Sequence, residues 1–327
     1  GLLVRYLDPV SFVMSRSPAK IYLLAGVTAV GKSEHSIDLA ESLQCEVLSC
    51  DSISIYRGMD IGSAKPGKLD RQKIPHHGID LVDVNTKFSV VNYAQYAKGI
   101  IDELEKRHSS VLVAGGSGFY LQSFLSPVVD RVEVTPEIRE RVEEHFEKYE
   151  LSGLVEELKK LNPEGLGELD VLNPRRVMRG LERCLASGLP LLHMKKEFEN
   201  LPKPYDSYEK RMVWLDRDNE ELEKRISDRT NQMIANGLIE ETENLLASGI
   251  RENPSASSSV GYRECIAFLD GELEREELPK AISHSTRRLV FKQRKWFRKH
   301  LGENSRIVID EDKGTGDPLE WIWATRT

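Results

Sequence analysis

Cysteine is scarce in this chain: four in 327 residues, at Cys45, Cys50, Cys184 and Cys265, with no C-x-x-C spacing among them. Nothing in that set suggests a zinc site, and so few cysteines suit a reducing compartment. No run of about 18 apolar residues exists, so no membrane span is expected. Internal repeats and low-complexity tracts are also absent. The opening GLLVRYLDPVSFV lacks the cationic start and long apolar core of a signal peptide, and residues 1–18 read as an unstructured or non-native extension outside the fold. Nor is the chain uniformly basic. Its net charge of −7 excludes a coat of positive charge but not a local patch of the kind that contacts nucleic acid. With 39% hydrophobic and 30% charged residues, it reads as a soluble protein with room for a main domain and a second one. A cytoplasmic monomer is expected.

What is present is organised around Ile21 to Ser33, IYLLAGVTAVGKS. An apolar run from Ile21 to Ala25 ends in Gly26, and Gly31-Lys32-Ser33 closes a G-x-x-x-x-G-K-S pattern. Ile37, Leu39, Ala40 and Leu43 then recur at helical spacing. Strand, glycine-bounded loop and helix form the context a P-loop requires. In such a loop the backbone of Gly26, Val27, Thr28, Ala29, Val30 and Gly31 curls N–H groups around an anion, which also meets the positive end of the helix dipole. Lys32 is suited to reach the outer phosphate, and the Ser33 hydroxyl to ligate Mg²⁺. The pattern predicts a protein that binds phosphate or pyrophosphate.

Strands and helices alternate beyond the loop. A second strand, Glu46 to Ser49, delivers Cys50-Asp51-Ser52 at its C-terminal end, beside the phosphate loop of an open α/β sheet. A short strand is expected around Ile79 to Val82, then a helix with Tyr93, Tyr96, Ala97, Ile100, Ile101 and Leu104 on one face. The buried strand Val111 to Ala114 ends in Gly115-Gly116-Ser117-Gly118. From about Val128 to Pro204 the pattern is helical without a convincing strand, opening on the N-cap Thr135-Pro136-Glu137. The sheet resumes at Arg211 to Leu215, long amphipathic helices follow, and a last short strand runs from Arg306 to Ile309. The fold expected is α/β: a P-loop NTPase-like parallel sheet core with an inserted all-helical domain. Its parts are the first core segment in residues 19–127, the helical insertion in 128–205, and the core's completion with long C-terminal helices in 206–327.

A nucleotide-hydrolysing P-loop protein carries an Asp at the end of a second apolar strand to hold Mg²⁺. Here the strand VLVA ends in Gly-Gly, which leaves Asp51 and Asp216 as the strand-end carboxylates. Asp51 is better placed to take a proton from an incoming nucleophile, or simply to cap a turn. Positive charge gathers in two places. Arg175-Arg176, Arg179 and Arg183 share one helix, and between Lys280 and His300 seven Arg and Lys residues accumulate beside Phe291, Trp296 and Phe297 with no acid among them. Cations neutralise phosphates and aromatics stack on unpaired bases, so these clusters are either a nucleic-acid footprint or solvated helix faces. Arg225 and Arg229, one helical turn apart, are suited to clamp a leaving pyrophosphate or to pair with Glu221 or Asp228. His76 and His77 have no Cys or third His at metal spacing and read as loop-structuring residues.

Taken together, AGVTAVGKS, DSISIYRGMDIGSAKP, PHHGIDLVD, GGSGFYLQ, LNPRRVMRGLE, RISDRTNQMIANGLIEE, SVGYRE and KQRKWFRKH resemble the motifs of the tRNA dimethylallyltransferase family, in the family's order and across about Lys20 to Leu301. Members prenylate N6 of the adenosine next to the anticodon (A37). The resemblance implies that the loop holds the pyrophosphate of dimethylallyl diphosphate, with Mg²⁺ as cofactor and the tRNA anticodon stem-loop as partner, gripped between core and insertion. It makes Asp51 the general base and sets Thr28 beside the reacting centre, with Lys32 and Arg229 stabilising the leaving group and Arg225 as a further pyrophosphate ligand. The tRNA contacts it implies are Asp51, Ser52, Ile53 and Ser54, then Ser117 and Arg139, and Arg175, Arg176 and Arg179. Later in the chain they are Ser258, Gly261, Tyr262 and Arg263, and on the last helix Lys292, Gln293, Arg294, Trp296 and Arg298. Three positions depart from the family: Val27 replaces the usual proline, GGSG replaces GGTG, and Phe291-Lys292-Gln293 replaces K-R-Q, with charge moved to Arg294 and Lys295. The rival readings are an adenylate isopentenyltransferase acting on free AMP, ADP or ATP, and a small-molecule P-loop kinase.

Overall fold

A computed structural model describes residues 18–63, 65–128, 132–310 and 320–321. The chain divides into two compact units, one formed by the described residues up to Phe124 and from Tyr205 onward, the other by Leu125–Pro204.

In the first unit, six parallel strands form one sheet: β1 (Lys20–Gly26), β2 (Glu46–Ser49), β3 (His76–His77), β4 (Val111–Gly115), β5 (Glu209–Asp216) and β6 (Arg306–Val308). Their spatial order is β3-β2-β4-β1-β5-β6. The central β1 pairs Ile21 with Val111 and Leu23 with Met212, and Ile21 to Ala25 are buried. A continuous apolar run suits a strand covered on both faces, as crossover helices require. Those helices are α1 (Lys32–Leu43), α2 (Lys68–Lys73), α3 (Val90–Lys106), α4 (Gly118–Gln122), and, after the insertion, α8 (Asn219–Ala235), α9 (Leu238–Ala247), α10 (Pro254–Ser257), α11 (Tyr262–Leu269) and α12 (Leu278–His300). No helix is long and apolar enough to cross a membrane among the described residues.

The third strand, at one edge of the sheet, differs from expectation. His76–His77 pairs with Val47 and Leu48, whereas Val82 makes only an isolated bridge with Tyr56. Gly78 (φ 85°) and Asp80 (φ 55°) take left-handed conformations and break the extended run predicted over Ile79 to Val82. The Asp80 carboxylate instead holds Lys65 at 2.6 Å and Arg71 at 3.0 Å. His77 bonds Glu46 and His76 bonds the Ile74 carbonyl, so both histidines do structure this segment.

Parallel topology gathers the ends of β1, β2, β4 and β5 at one edge. The end of β4 packs so closely on that of β2 that a Cβ on Gly115 would lie 1.9 Å from the Cys50 carbonyl oxygen. At the end of β5 the Asp216 carboxylate is fully buried and accepts from the guanidinium groups of Arg294 and Arg306 at 2.9–3.0 Å. Asp216 is therefore not a cation site, because its oxygens are taken by two arginines. Arg294, implied as a tRNA contact, serves this internal clamp together with Asn219 and the Arg217 carbonyl.

The second unit contains helices α5 (Pro136–Leu161), α6 (Pro174–Ser187) and α7 (Leu191–Glu199), and no strand among its described residues. Glu150 (φ 57°, ψ −164°) breaks α5 into two pieces. Thr135 and Asn173 cap α5 and α6, each followed by proline at the first turn. Val142, Leu154, Leu158, Val177, Leu181, Cys184 and Met194 form its core. Arg139, Arg175, Arg176 and Arg179 stay exposed.

Asp216→Ala leaves two guanidinium groups without their shared carboxylate. It is expected to lower the unfolding free energy by about 3–5 kcal/mol, measured by denaturant titration. A loss below about 1 kcal/mol would mean that the clamp behaves as an exposed ion pair.

Candidate active site

The phosphate loop leaves β1 at Gly26 and enters α1 at Lys32. Ala29 (φ 69°) and Gly31 (φ 94°) both adopt left-handed backbone, the conformation from which anion-binding nests are built. For Ala29 that conformation costs about 1–2 kcal/mol, and the outer surface of the loop is braced accordingly. Arg225 Nε donates to the Ala29 carbonyl at 2.7 Å, and Arg217 Nε to the Val30 carbonyl at 2.9 Å. Arg217, buried and paired with Glu221 at 2.7 Å, had no signal in the sequence beyond its proximity to β5.

Inside the loop lies a cavity of about 680 Å³. The loop residues Val27 to Ser33 form its floor, and Asp51, Ser52, Ile53, Ser117, Arg229, Ser258, Arg263, Lys292, Gln293 and Trp296 reach it. The two arginines left open by sequence are thus separated: Arg229 lines the cavity, while Arg225 holds the loop from behind through Ala29. Ile226, Met233, Val260 and Leu289 add apolar wall, and Phe119, 80% exposed, adds an aromatic.

Charge is concentrated at the floor. Loss of solvation lowers the Lys32 pKa from its ordinary 10.5; Asp51 opposes that shift and Arg229 adds to it. Arg229 is likewise lowered by loss of solvation, with Asp51 favouring its charged form and Arg225 opposing it. Two desolvated cations therefore face one carboxylate, an arrangement that an entering anion completes. Lys32 Nζ lies 3.4 Å from the Gly26 carbonyl. Asp51 is fixed by a local turn in which its Oδ1 accepts from the Ile53 N–H at 3.0 Å.

Several residues implied as tRNA contacts are engaged within the protein. Ser54, Gly261 and Tyr262 are buried. The Tyr262 hydroxyl donates to Glu241 at 2.5 Å and accepts from the Gly62 N–H at 3.0 Å. Glu241 also accepts from the N–H groups of Asp60 and Ile61, so this trio pins the turn beside the cavity. Gln293 bonds the loop at Thr28. Arg298 pairs with Glu303 and does not line the cavity. Lys292 and Ser258 remain exposed, as does Arg263, which also bonds Ser285. Trp296 stacks on His300 with ring centres 4.3 Å apart.

The donors suit a hard cation carried in by phosphate oxygens. Ser33 presents an exposed hydroxyl and Asp51 a carboxylate, and no cluster of three or more His, Cys, Asp or Glu among the described residues forms a protein cage.

A parallel sheet with a phosphate-type loop beside two desolvated cations and a neighbouring carboxylate defines a protein of the P-loop fold class. Residues 54–300 match the model of the IPP transferase family, and the chain belongs to that family. It is 44% identical over 293 residues to the tRNA dimethylallyltransferase of Opitutus terrae, covering 90% of this chain and 94% of that protein. It is 35% identical to tRNA dimethylallyltransferase 1 of Trichlorobacter lovleyi, covering 85% and 90%. The crystal structure of the tRNA isopentenylpyrophosphate transferase of Bacillus halodurans superposes with a TM-score of 0.65 at 31% identity, over 90% and 92% of the two chains. A eukaryotic dimethylallyltransferase solved acting on tRNA shares the fold, with a TM-score of 0.74 at 24% identity over 89% of this chain and 74% of that one.

Arg229→Ala is expected to weaken binding of inorganic pyrophosphate roughly 10–100-fold, the worth of a charge-assisted contact. Arg225→Ala should cost about 1–2 kcal/mol of stability and less affinity. Anion affinity should also fall with rising pH before the ordinary lysine range is reached, because the lowered Lys32 pKa removes its charge early. Calorimetric titration across pH checks the affinities, and denaturant titration the stability.

Proposed function

We propose that the protein transfers the dimethylallyl group of dimethylallyl diphosphate to N6 of the adenosine next to the anticodon of tRNA, A37, releasing pyrophosphate. The observation that carries this reading is the combination at the cavity: a P-loop with Lys32 and Arg229, no carboxylate at the end of β4 for ATP hydrolysis, and Asp51 beside the two cations as proton acceptor. Gly115-Gly116 occupies the position where such a carboxylate would stand, and Asp216 is clamped.

In the reaction the allylic C–O bond breaks and a C–N bond forms, and one N6 proton is lost. An exocyclic adenine amine is a poor nucleophile, since its lone pair is delocalised into the ring; the allylic carbon compensates by ionising readily. Lys32, Arg229 and the loop N–H groups stabilise the charge that develops on the departing pyrophosphate. Asp51, held by Ile53, receives the N6 proton. Ile226, Met233 and Leu289 offer the apolar surface that suits a prenyl chain and excludes water. Ser33 would hold Mg²⁺, which supplies further charge neutralisation when bound with the diphosphate. Lys292, Arg263 and the exposed arginines of α6 supply phosphate-neutralising charge for RNA, and the adenine reaches the cavity by flipping out of its loop. A cytoplasmic location accords with this substrate and with the reduced cysteines.

The test is transfer of labelled dimethylallyl diphosphate to an unmodified anticodon stem-loop RNA, beside AMP and ADP. Label is expected in RNA alone, with kcat about 10²–10⁴-fold lower in Asp51→Ala. Label in free nucleotide, or consumption of ATP without transfer, would overturn the reading.

A further inference from the structure

Gln293 reaches from α12 across the cavity wall with a carboxamide that is bonded at both ends. Its Oε1 accepts from the Thr28 backbone N–H at 2.9 Å and from the Thr28 hydroxyl at 3.1 Å, and its Nε2 donates to the Gly116 carbonyl at 3.3 Å. The orientation follows from the partners. A carbonyl only accepts and a backbone N–H only donates, so flipping the amide would lose both bonds. The Thr28 hydroxyl proton is thereby committed to Gln293, and its oxygen is left to act as an acceptor.

The opposite side is cleared for this contact. A Cβ on Gly116 would fall 2.8 Å from Gln293 Nε2 and 3.1 Å from the Gly26 carbonyl oxygen, so only glycine leaves room for the carboxamide. On either side of Gln293, α12 points outward and inward. Arg294 anchors the helix to Asp216, while Lys292 and Trp296 line the cavity. The helix that carries the basic and aromatic residues thus also holds the Thr28 side chain of the phosphate loop.

We propose that Gln293 is a positioning residue for the transfer reaction: it sets the Thr28 hydroxyl and amide and ties the phosphate loop to the RNA-facing helix. This rests on the prenyl-transfer reading above. Without the carboxamide, Thr28 regains its side-chain rotamers and hydroxyl rotation, and misplacement of about 1 Å at a reacting centre costs on the order of 10²-fold in rate. Binding of RNA by the outer residues of α12 is not affected by that change.

A double-mutant cycle on the full chain tests the proposal, using Gln293→Met, Thr28→Val and the pair, with labelled dimethylallyl diphosphate and stem-loop RNA. Gln293→Met should lower kcat about 10–100-fold while the KM for RNA stays within about twofold. The pair should lose less than the product of the two single losses, because Gln293 acts in part through the hydroxyl that Thr28→Val removes, while its bond to the Thr28 N–H survives that change. Gln293→Asn keeps the carboxamide but draws it back by one methylene, and should lose kcat as Gln293→Met does. Unchanged melting temperatures exclude misfolding as the cause. A raised KM for RNA with kcat retained would mean that Gln293 reads RNA directly, and multiplicative losses would mean that it acts independently of the Thr28 hydroxyl; either overturns the proposal. A wild-type chain that prenylates no RNA would instead overturn the underlying reading.

Discussion

The buried carboxylate of Asp216 is the contact on which the rest of the site depends. It ends β5, receives Arg294 from α12 and Arg306 from β6, and so fixes the last long helix against the sheet. One residue before Arg294 stands Gln293, and one turn to either side stand residues that line the cavity. A buried charge of this kind is tolerated because every lone pair facing the protein finds a donor. That saturation is also what removes Asp216 from metal chemistry.

The second constraint is electrostatic. The loop collects N–H groups, Lys32 and Arg229 in a place where water is thinned out, and one carboxylate, Asp51, does not balance them. Such an excess of desolvated positive charge favours an anionic ligand. The bracing by Arg217 and Arg225 belongs to the same design. Their guanidinium groups satisfy the carbonyls of Ala29 and Val30, while within the loop the Val27 N–H donates to the Leu215 carbonyl, the Thr28 N–H to Gln293 and the Val30 N–H to the Val27 carbonyl.

The long segment from Asp51 to Pro66 owes its shape to distant partners. Lys65, 3% exposed, is bound by the Tyr56 carbonyl, Asp60 and Asp80. Glu241 and Tyr262 hold the turn at Asp60 to Gly62 from α9 and α11. Residues in a shared motif therefore divide into those that face the cavity and those that hold the facing ones still. Spacing along the chain does not distinguish the two, because both kinds are polar and both recur together.

The sequence by itself determined the alternation of strands and helices, the P-loop at Gly26 to Ser33, the helical character of the insertion and the family. Each is written in local periodicity, cap residues or contiguous motifs, and these survive without knowledge of the fold. The carboxylate missing after VLVA was legible in the same way, as were the exposed arginines of α6. Only the tertiary structure decided that Arg229 faces the cavity while Arg225 turns to Ala29, that Arg294 and Tyr262 work inside the protein, and that Gln293 meets Thr28. Those outcomes depend on where a helix face lands relative to partners 21 to 265 positions away in the chain. A guanidinium or carboxamide has the same chemistry in every direction; burial and the nearest acceptor choose its role, and neither is encoded at short range. The lost strand at Ile79 to Val82 has a related cause. An apolar run predicted extension there, but the left-handed turn at Asp80, held by Lys65 and Arg71, prevailed.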